Sequence, residues 1–141
     1  MLIAFFVNDM EREFEGYTTT ILAHQAVSAG HRVCYVTPSD FVLTPDDRLH
    51  VHGRFLPKRK YKDRAEFFET LNSVAAKVER MDVEEIDALM LRNDPSLDAQ
   101  SIPWAAEAGI LFGREAVKRG VIVVNDPDSL GRAVNKLYFQ G

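Results

Sequence analysis

An unbroken apolar run, Leu2-Ile3-Ala4-Phe5-Phe6-Val7, opens the chain and stops at the polar pair Asn8-Asp9. Continuous rather than alternating hydrophobicity predicts a strand covered on both faces, the situation inside a parallel sheet. Over residues 17–29 the pattern changes to helical spacing. Ile21, Leu22, Ala26 and Ala29 form its apolar side, Thr18 or Thr19 is placed to cap the start, and Gly30 to end it. A second short run, Arg32–Val36, completes a β-α-β unit, whose crossover is right-handed in nearly all proteins.

Phe41–Leu43 and Leu49–Phe55 flank Thr44-Pro45-Asp46-Asp47, whose proline and aspartates suit a turn, so a solvent-facing hairpin is expected. A basic loop, Pro57-Lys58-Arg59-Lys60-Tyr61-Lys62, precedes residues 64–80, where Phe67, Phe68, Leu71, Val74 and Val78 at helical spacing predict a second helix. Residues 86–91 read as a buried strand, with Asp87 as the exception, running into Arg92-Asn93-Asp94-Pro95. A third helix is predicted over 102–119, capped by Ser101, with Pro103 in its first turn and Gly120 just past its end. The β-branched run 121–124 predicts a last strand, followed by Asn125-Asp126-Pro127 and a short helix from Ser129.

This alternation predicts an α/β fold: a Rossmann-like, doubly wound, mostly parallel sheet with a hairpin excursion. In such sheets ligands bind beyond the carboxyl ends of the strands. Three polar turns converge there, Asn8-Asp9, Arg92-Asn93-Asp94-Pro95 and Asn125-Asp126-Pro127. Within them Arg92 is suited to a bidentate pair with a substrate carboxylate, or else to an ion pair with Asp94 that fixes the loop before Pro95. Residues 16–20, Thr18 among them, read either as an anion site at a helix N-terminus or as a plain threonine cap.

Composition narrows the partners. The 141 residues, 46% hydrophobic and 27% charged, suit one compact soluble domain. A net charge of -4 offers no basic field for nucleic acid or an anionic membrane, and no apolar stretch is long enough to span a bilayer. The single cysteine, Cys34, sits in an apolar run and forms no intrachain disulfide, which fits a reducing cytoplasm. His50 and His52 share a strand face with Arg48 and Arg54; a metal pair and a solvated basic face are the two readings, and no third ligand has matching spacing. The Lys58-Arg59-Lys60 run reads as a solvated loop or as an attractor of an acidic peptide-like substrate. Neither a Gly-x-Ser-x-Gly elbow nor a Gly-x-Gly-x-x-Gly turn is present, which weakens hydrolase and dehydrogenase readings.

Leu89-Met90-Leu91-Arg92-Asn93-Asp94-Pro95, then Ile122-Val123-Val124-Asn125-Asp126-Pro127-Asp128-Ser129-Leu130 and Asn135-Lys136-Leu137-Tyr138, resemble in order and spacing the N-terminal region of bacterial glutathione synthetases. Val7-Asn8-Asp9 and Gly16-Tyr17-Thr18-Thr19-Thr20 are similar to the start of glutathione-synthetase-like ATP-grasp proteins. The resemblance implies a pre-ATP-grasp domain over residues 1–130 and the start of an ATP-grasp region over 131–141. It implies a ligase that phosphorylates a carboxylate with ATP and Mg2+, after which an amine attacks the acyl phosphate. Arg92, Asp94, Asn8 and Thr18 would then face an amino-acid or peptide substrate, and Lys136 would lie near the nucleotide phosphates. The remaining ATP-grasp domains would complete the site. This part alone is expected to be inactive, to hold no ATP or Mg2+ and to use no metal ligands of its own, while homo-oligomerisation through the domain is an open expectation. Leu137-Tyr138-Phe139-Gln140-Gly141 also resembles the remnant of a cleavable purification tag, but Asn135-Lys136 before the leucine fits the family sequence. The alternative outside the ligase class is a stand-alone α/β binding module.

Overall fold

The computed structural model describes residues 1–92 and 103–124. Seven strands form one sheet: β1 (Leu2–Phe6), β2 (Arg32–Val36), β3 (Phe41–Leu43), β4 (Leu49–Phe55), β5 (Lys77–Asp82), β6 (Ala88–Leu91) and β7 (Ile122–Val124). Among the described residues three α-helices accompany them, α1 (Thr18–Ser28), α2 (Arg64–Leu71) and α3 (Pro103–Lys118). Four strands, in the order β2-β1-β6-β7, run parallel. The hairpin β3-β4 joins antiparallel at β2, and β5 pairs antiparallel with β4.

Successive residues of the parallel strands serve opposite faces. Ala4 and Phe6 pack with Cys34, Val36, Val51 and Leu89 against Phe112 and Ala116 of α3. Phe5 and Val7 pack with Val33, Tyr35 and Met90 against Ala23 and Val27 of α1 and Phe67 and Leu71 of α2. Each such large apolar side chain removed from water stabilises the fold by about 1.5–3 kcal/mol. That two-sided burial is why these strands are apolar throughout. Asp87, the exception, has a structural use, since its Oδ2 accepts the Leu2 backbone N–H at 2.6 Å where β1 begins.

Several expectations are corrected. The helix predicted over 64–80 ends at Leu71, and the chain returns as β5, paired along its length with β4 from Lys77 opposite Phe55 to Asp82 opposite His50. Asn72 closes the helix with its side-chain amide on Phe68 O, Val74 is 96% exposed and Val78 61% exposed. Apolar spacing there mimicked a helix, and strand pairing overrode it. In α1 the buried positions are Thr19, Thr20, Ala23 and Val27, whereas Ile21, Leu22 and Ala26 are only half-buried and Ala29 is exposed. The hairpin is not simply solvent-facing, because Leu49, Val51 and Phe55 enter the core while His50, His52 and Arg54 stay half-buried on the other side. Gly30 and Gly120 end α1 and α3 with φ of 94° and 86°, left-handed values that favour glycine. The Ser101 cap and the helix from Ser129 lie outside the described residues.

Candidate functional site

Two strand ends and one helix start meet at the carboxyl edge of the parallel strands. Arg92 leaves β6 there, and its backbone N–H donates to Phe6 O at 2.8 Å, which extends the ladder with β1 past Leu91 and fixes where the side chain starts. Its Nε donates to Thr19 Oγ1 at 3.3 Å. Thr19 is buried and Thr18 exposed, so the guanidinium meets Thr19 rather than Thr18.

Neither threonine caps α1. Tyr17 holds the N-cap position and makes no side-chain capping bond. The preceding loop is tied down differently: Thr20 Oγ1 donates to Phe14 O at 2.6 Å, and the Phe14 and Tyr17 rings meet edge to face at 5.0 Å. These ties start the helix so that all three threonines lie inside its first turn. The first-turn N–H groups have no intrahelical acceptors and carry the positive end of the helix dipole. No acidic residue occupies that turn. A helix start of this kind beside a guanidinium favours an anion.

Two further polar groups act on the same neighbourhood, Tyr35 through Thr20 and Glu13 through Arg92. Tyr35 stacks on Phe5 with centroids 5.8 Å apart, is 1% exposed, and buries its hydroxyl within reach of the Thr20 side chain. Glu13, in the loop after β1, buries Oε1 with no hydrogen bond. Burial raises the Glu13 carboxyl from 4.5 to about 7, and the opposing attraction of Arg92 offsets this only in part. Burial, then the negative charge of Glu13, pushes the Tyr35 phenol well above its ordinary range. A buried polar atom left unpaired costs about 1–3 kcal/mol, so such atoms are ordinarily met by water or by neighbouring groups.

The other expected residues divide. Asn8 is half-buried just past β1, where Val7 N–H donates to Val36 O at 2.9 Å, and Asn8 is engaged in a contact of its own. Asp9 serves a local turn, its Oδ1 accepting Glu11 N–H at 2.9 Å. Asp94, Asn125-Asp126-Pro127 and Lys136 lie outside the described residues. In the basic loop Arg59 is committed, pairing with Glu66 at 2.8 Å and lying over the Tyr61 ring at 4.2 Å. His50 and His52 stand opposite Asp82 and Arg80, and among the described residues no group of three or more His, Cys, Asp or Glu is arranged to hold a metal. An open cleft of about 350 Å³ lined by Arg32, Phe55, Leu56 and Lys58 lies at the amino end of β2, the opposite end from Arg92. No helix among the described residues is long and apolar enough to cross a membrane.

Residues 1–131 match the family described as prokaryotic glutathione synthetase, N-terminal domain. The chain belongs to that family. It is therefore the N-terminal domain type of a glutathione-synthetase-like ligase, and the resemblance carried by Arg92-Asn93-Asp94-Pro95 and its neighbours holds. No curated protein matches the chain. Within this glutathione synthetase domain, sequence reasoning misses Glu13 and Tyr35. Tyr35 left one signal, a hydroxyl inside an otherwise apolar run; Glu13 left none, since it reads like any acid of a polar loop.

Proposed function

We propose that this domain supplies the substrate-side wall of an ATP-dependent carboxylate–amine ligase, with Arg92 gripping a carboxylate of an amino-acid or peptide substrate. The observation that carries the proposal is the position of Arg92: held by its backbone to β1, reaching Thr19, and facing the uncapped start of α1. Guanidinium and helix dipole act on the same negative charge, which fixes substrate orientation before any phosphoryl transfer. The sheet is read as doubly wound and Rossmann-like, supported by one core cluster under α1 and α2 and another under α3. The crevice at its strand ends is then the expected place for a ligand.

By the family resemblance, Mg2+ and the ATP phosphates are assigned to ATP-grasp domains acting with this one, and Lys136 to the phosphate side. When bound, ATP supplies the phosphoryl group that activates the carboxylate. The domain by itself binds and orients and is inactive in this reading. A cytoplasmic setting belongs to the same reading, since ATP and the free Cys34 thiol are both at home there.

The test is ATP-dependent phosphate release by the full-length protein with γ-glutamylcysteine plus glycine, and with a panel of amino acids as acceptors. Turnover that requires an amine and falls about a hundredfold in Arg92→Ala, with folding intact, supports the proposal. Turnover indifferent to Arg92, or none with any acceptor, sinks it in favour of a binding module without catalysis.

A further inference from the structure

At the sheet edge remote from Arg92, β2 and β5 begin and β4 ends. Cys34 stands opposite Phe55, and Phe55 opposite Lys77. Arg32, two residues before Cys34, and Glu79, two residues after Lys77, therefore project from the same face as Phe55 and Lys77. These four side chains border the open cleft of about 350 Å³, whose other wall is the chain leaving β4 as far as Lys58. The walls are firmly set. Phe55 and Leu56 are buried, Leu56 N–H donates to Val33 O at 3.2 Å, and the Tyr61 hydroxyl donates to Pro57 O at 2.7 Å, which fixes the turn that presents Lys58.

Charge in this cleft is one-sided. Arg32, Lys58 and Lys77 line it against Glu79 alone, in a chain whose net charge is -4. Arg32 lies over the Phe55 ring and pairs with Glu79 at 3.6 Å, whereas the ammonium groups of Lys58 and Lys77 have no ion pair or hydrogen bond among the described residues. Three cations and one acid leave two positive charges beside an apolar wall. An inorganic ion would meet the charges and leave the wall bare, and a neutral apolar molecule would do the reverse. Ligand pockets run from about 300 to 1,000 Å³, so the space suits a small molecule.

We propose that this cleft binds a small organic dianion, a phosphate monoester or a dicarboxylate on an apolar body, as a second ligand site of the domain. Lys58 and Lys77 hold the charged oxygens, Arg32 adds paired N–H donors suited to an oxyanion, and the body covers Leu56, Pro57 and Ala75. Glu79 opposes the ligand, which sets the sign of one test. The five residues of β2 separate this end of the sheet from the end that carries Arg92, a span of about 15 Å. One small molecule does not touch both, so the ligand here is additional to any substrate held at the strand ends.

Isothermal titration calorimetry on the full-length protein carrying Arg92→Ala tests the proposal, since the strand-end site then contributes nothing. The probes are phenyl phosphate, inorganic phosphate and phenol, at about pH 8 so that both phosphates are largely dianionic. Phenyl phosphate is expected to bind roughly tenfold more tightly than phosphate, and phenol not measurably. Lys58→Gln and Lys77→Gln should each weaken phenyl phosphate binding about three- to tenfold, whereas Glu79→Gln should tighten it about threefold. Lys60→Gln, in the same loop but outside the cleft, should leave it unchanged. All four of these side chains are exposed, so the variants should fold as the parent does, which thermal unfolding checks.

A loss in Lys60→Gln as large as in Lys77→Gln would mean a general basic field and overturns the inference. Phenyl phosphate that binds no better than phosphate overturns it, as does binding that is the same with and without Lys58 and Lys77. Absence of binding overturns it as well, and each of these outcomes leaves the assignment of Arg92 where it was.

Discussion

The parallel strands and the antiparallel ones share a sheet and differ in what covers them. β1, β2 and β6 are buried on both faces, and their carboxyl ends lead into the proposed site. β4 alternates buried and half-buried residues, and β5 is exposed at its first four positions. A strand sealed on both faces holds the next residue of the chain to within the tolerance of a packed core, so Arg92, one residue past β6, starts from a fixed point. The antiparallel part extends the sheet and shields one face of the core without such demands.

The largest expected effect tests that contrast directly. Phe6→Ala removes a fully buried ring that meets Phe112 at 5.5 Å, and should lower unfolding free energy by about 3–5 kcal/mol. Val78→Thr on β5 should change it by less than about 0.5 kcal/mol. Chemical denaturation of both variants makes the comparison, and similar losses would show that β5 is sealed by something other than the described residues.

The contrast also explains what was legible in the sequence. Two-sided strands announce themselves as continuous apolar runs, so β1, β2, β6 and β7 are foreseen, and the turn chemistry of Thr44-Pro45-Asp46-Asp47 gives β3 and β4. β5 is missed because Val74 and Val78 supply helical spacing on residues that are in fact exposed, and only pairing with β4 makes the segment a strand. At the site, Arg92 is readable from its place after an apolar strand. That Arg92 meets Thr19 is not readable, because Tyr17 rather than a threonine takes the N-cap position, which depends on the Phe14 and Thr20 contacts of the folded loop. Glu13 is unreadable because its chemistry comes from burial, and burial of a loop residue is a tertiary property.

A middle-sized effect is expected at Glu13. The folded carboxyl keeps its proton up to about pH 7, whereas its ordinary midpoint is 4.5. Between these values the folded state binds more protons than the unfolded one. Stability from this group is therefore fully present below 4.5, declines as pH rises, and is lost above about 7. A sealed group would give about 3 kcal/mol for such a shift; partial solvent contact reduces this to about 1–2 kcal/mol. Thermal unfolding of wild type and Glu13→Gln between pH 4 and 8 should show their stabilities diverging in favour of the variant as pH rises. Parallel profiles would mean that Glu13 reaches water freely.

The smallest effect belongs at the amino end of β2. Arg32 lies over the Phe55 ring at 4.7 Å and pairs with Glu79 at 3.6 Å, but the two charged side chains are 54% and 56% exposed. Water screens that pair, and its side chains keep much of their freedom, so Glu79→Gln should cost less than about 0.5 kcal/mol and lose even that in high salt. Arg92, by contrast, is half-buried and reaches a buried threonine. If removing Glu79 proved as costly as removing a core ring, then the charged rim of the Arg32 cleft would be as tightly organised as the strand ends, and the division of the sheet into a fixed site-bearing part and a covering part would fail.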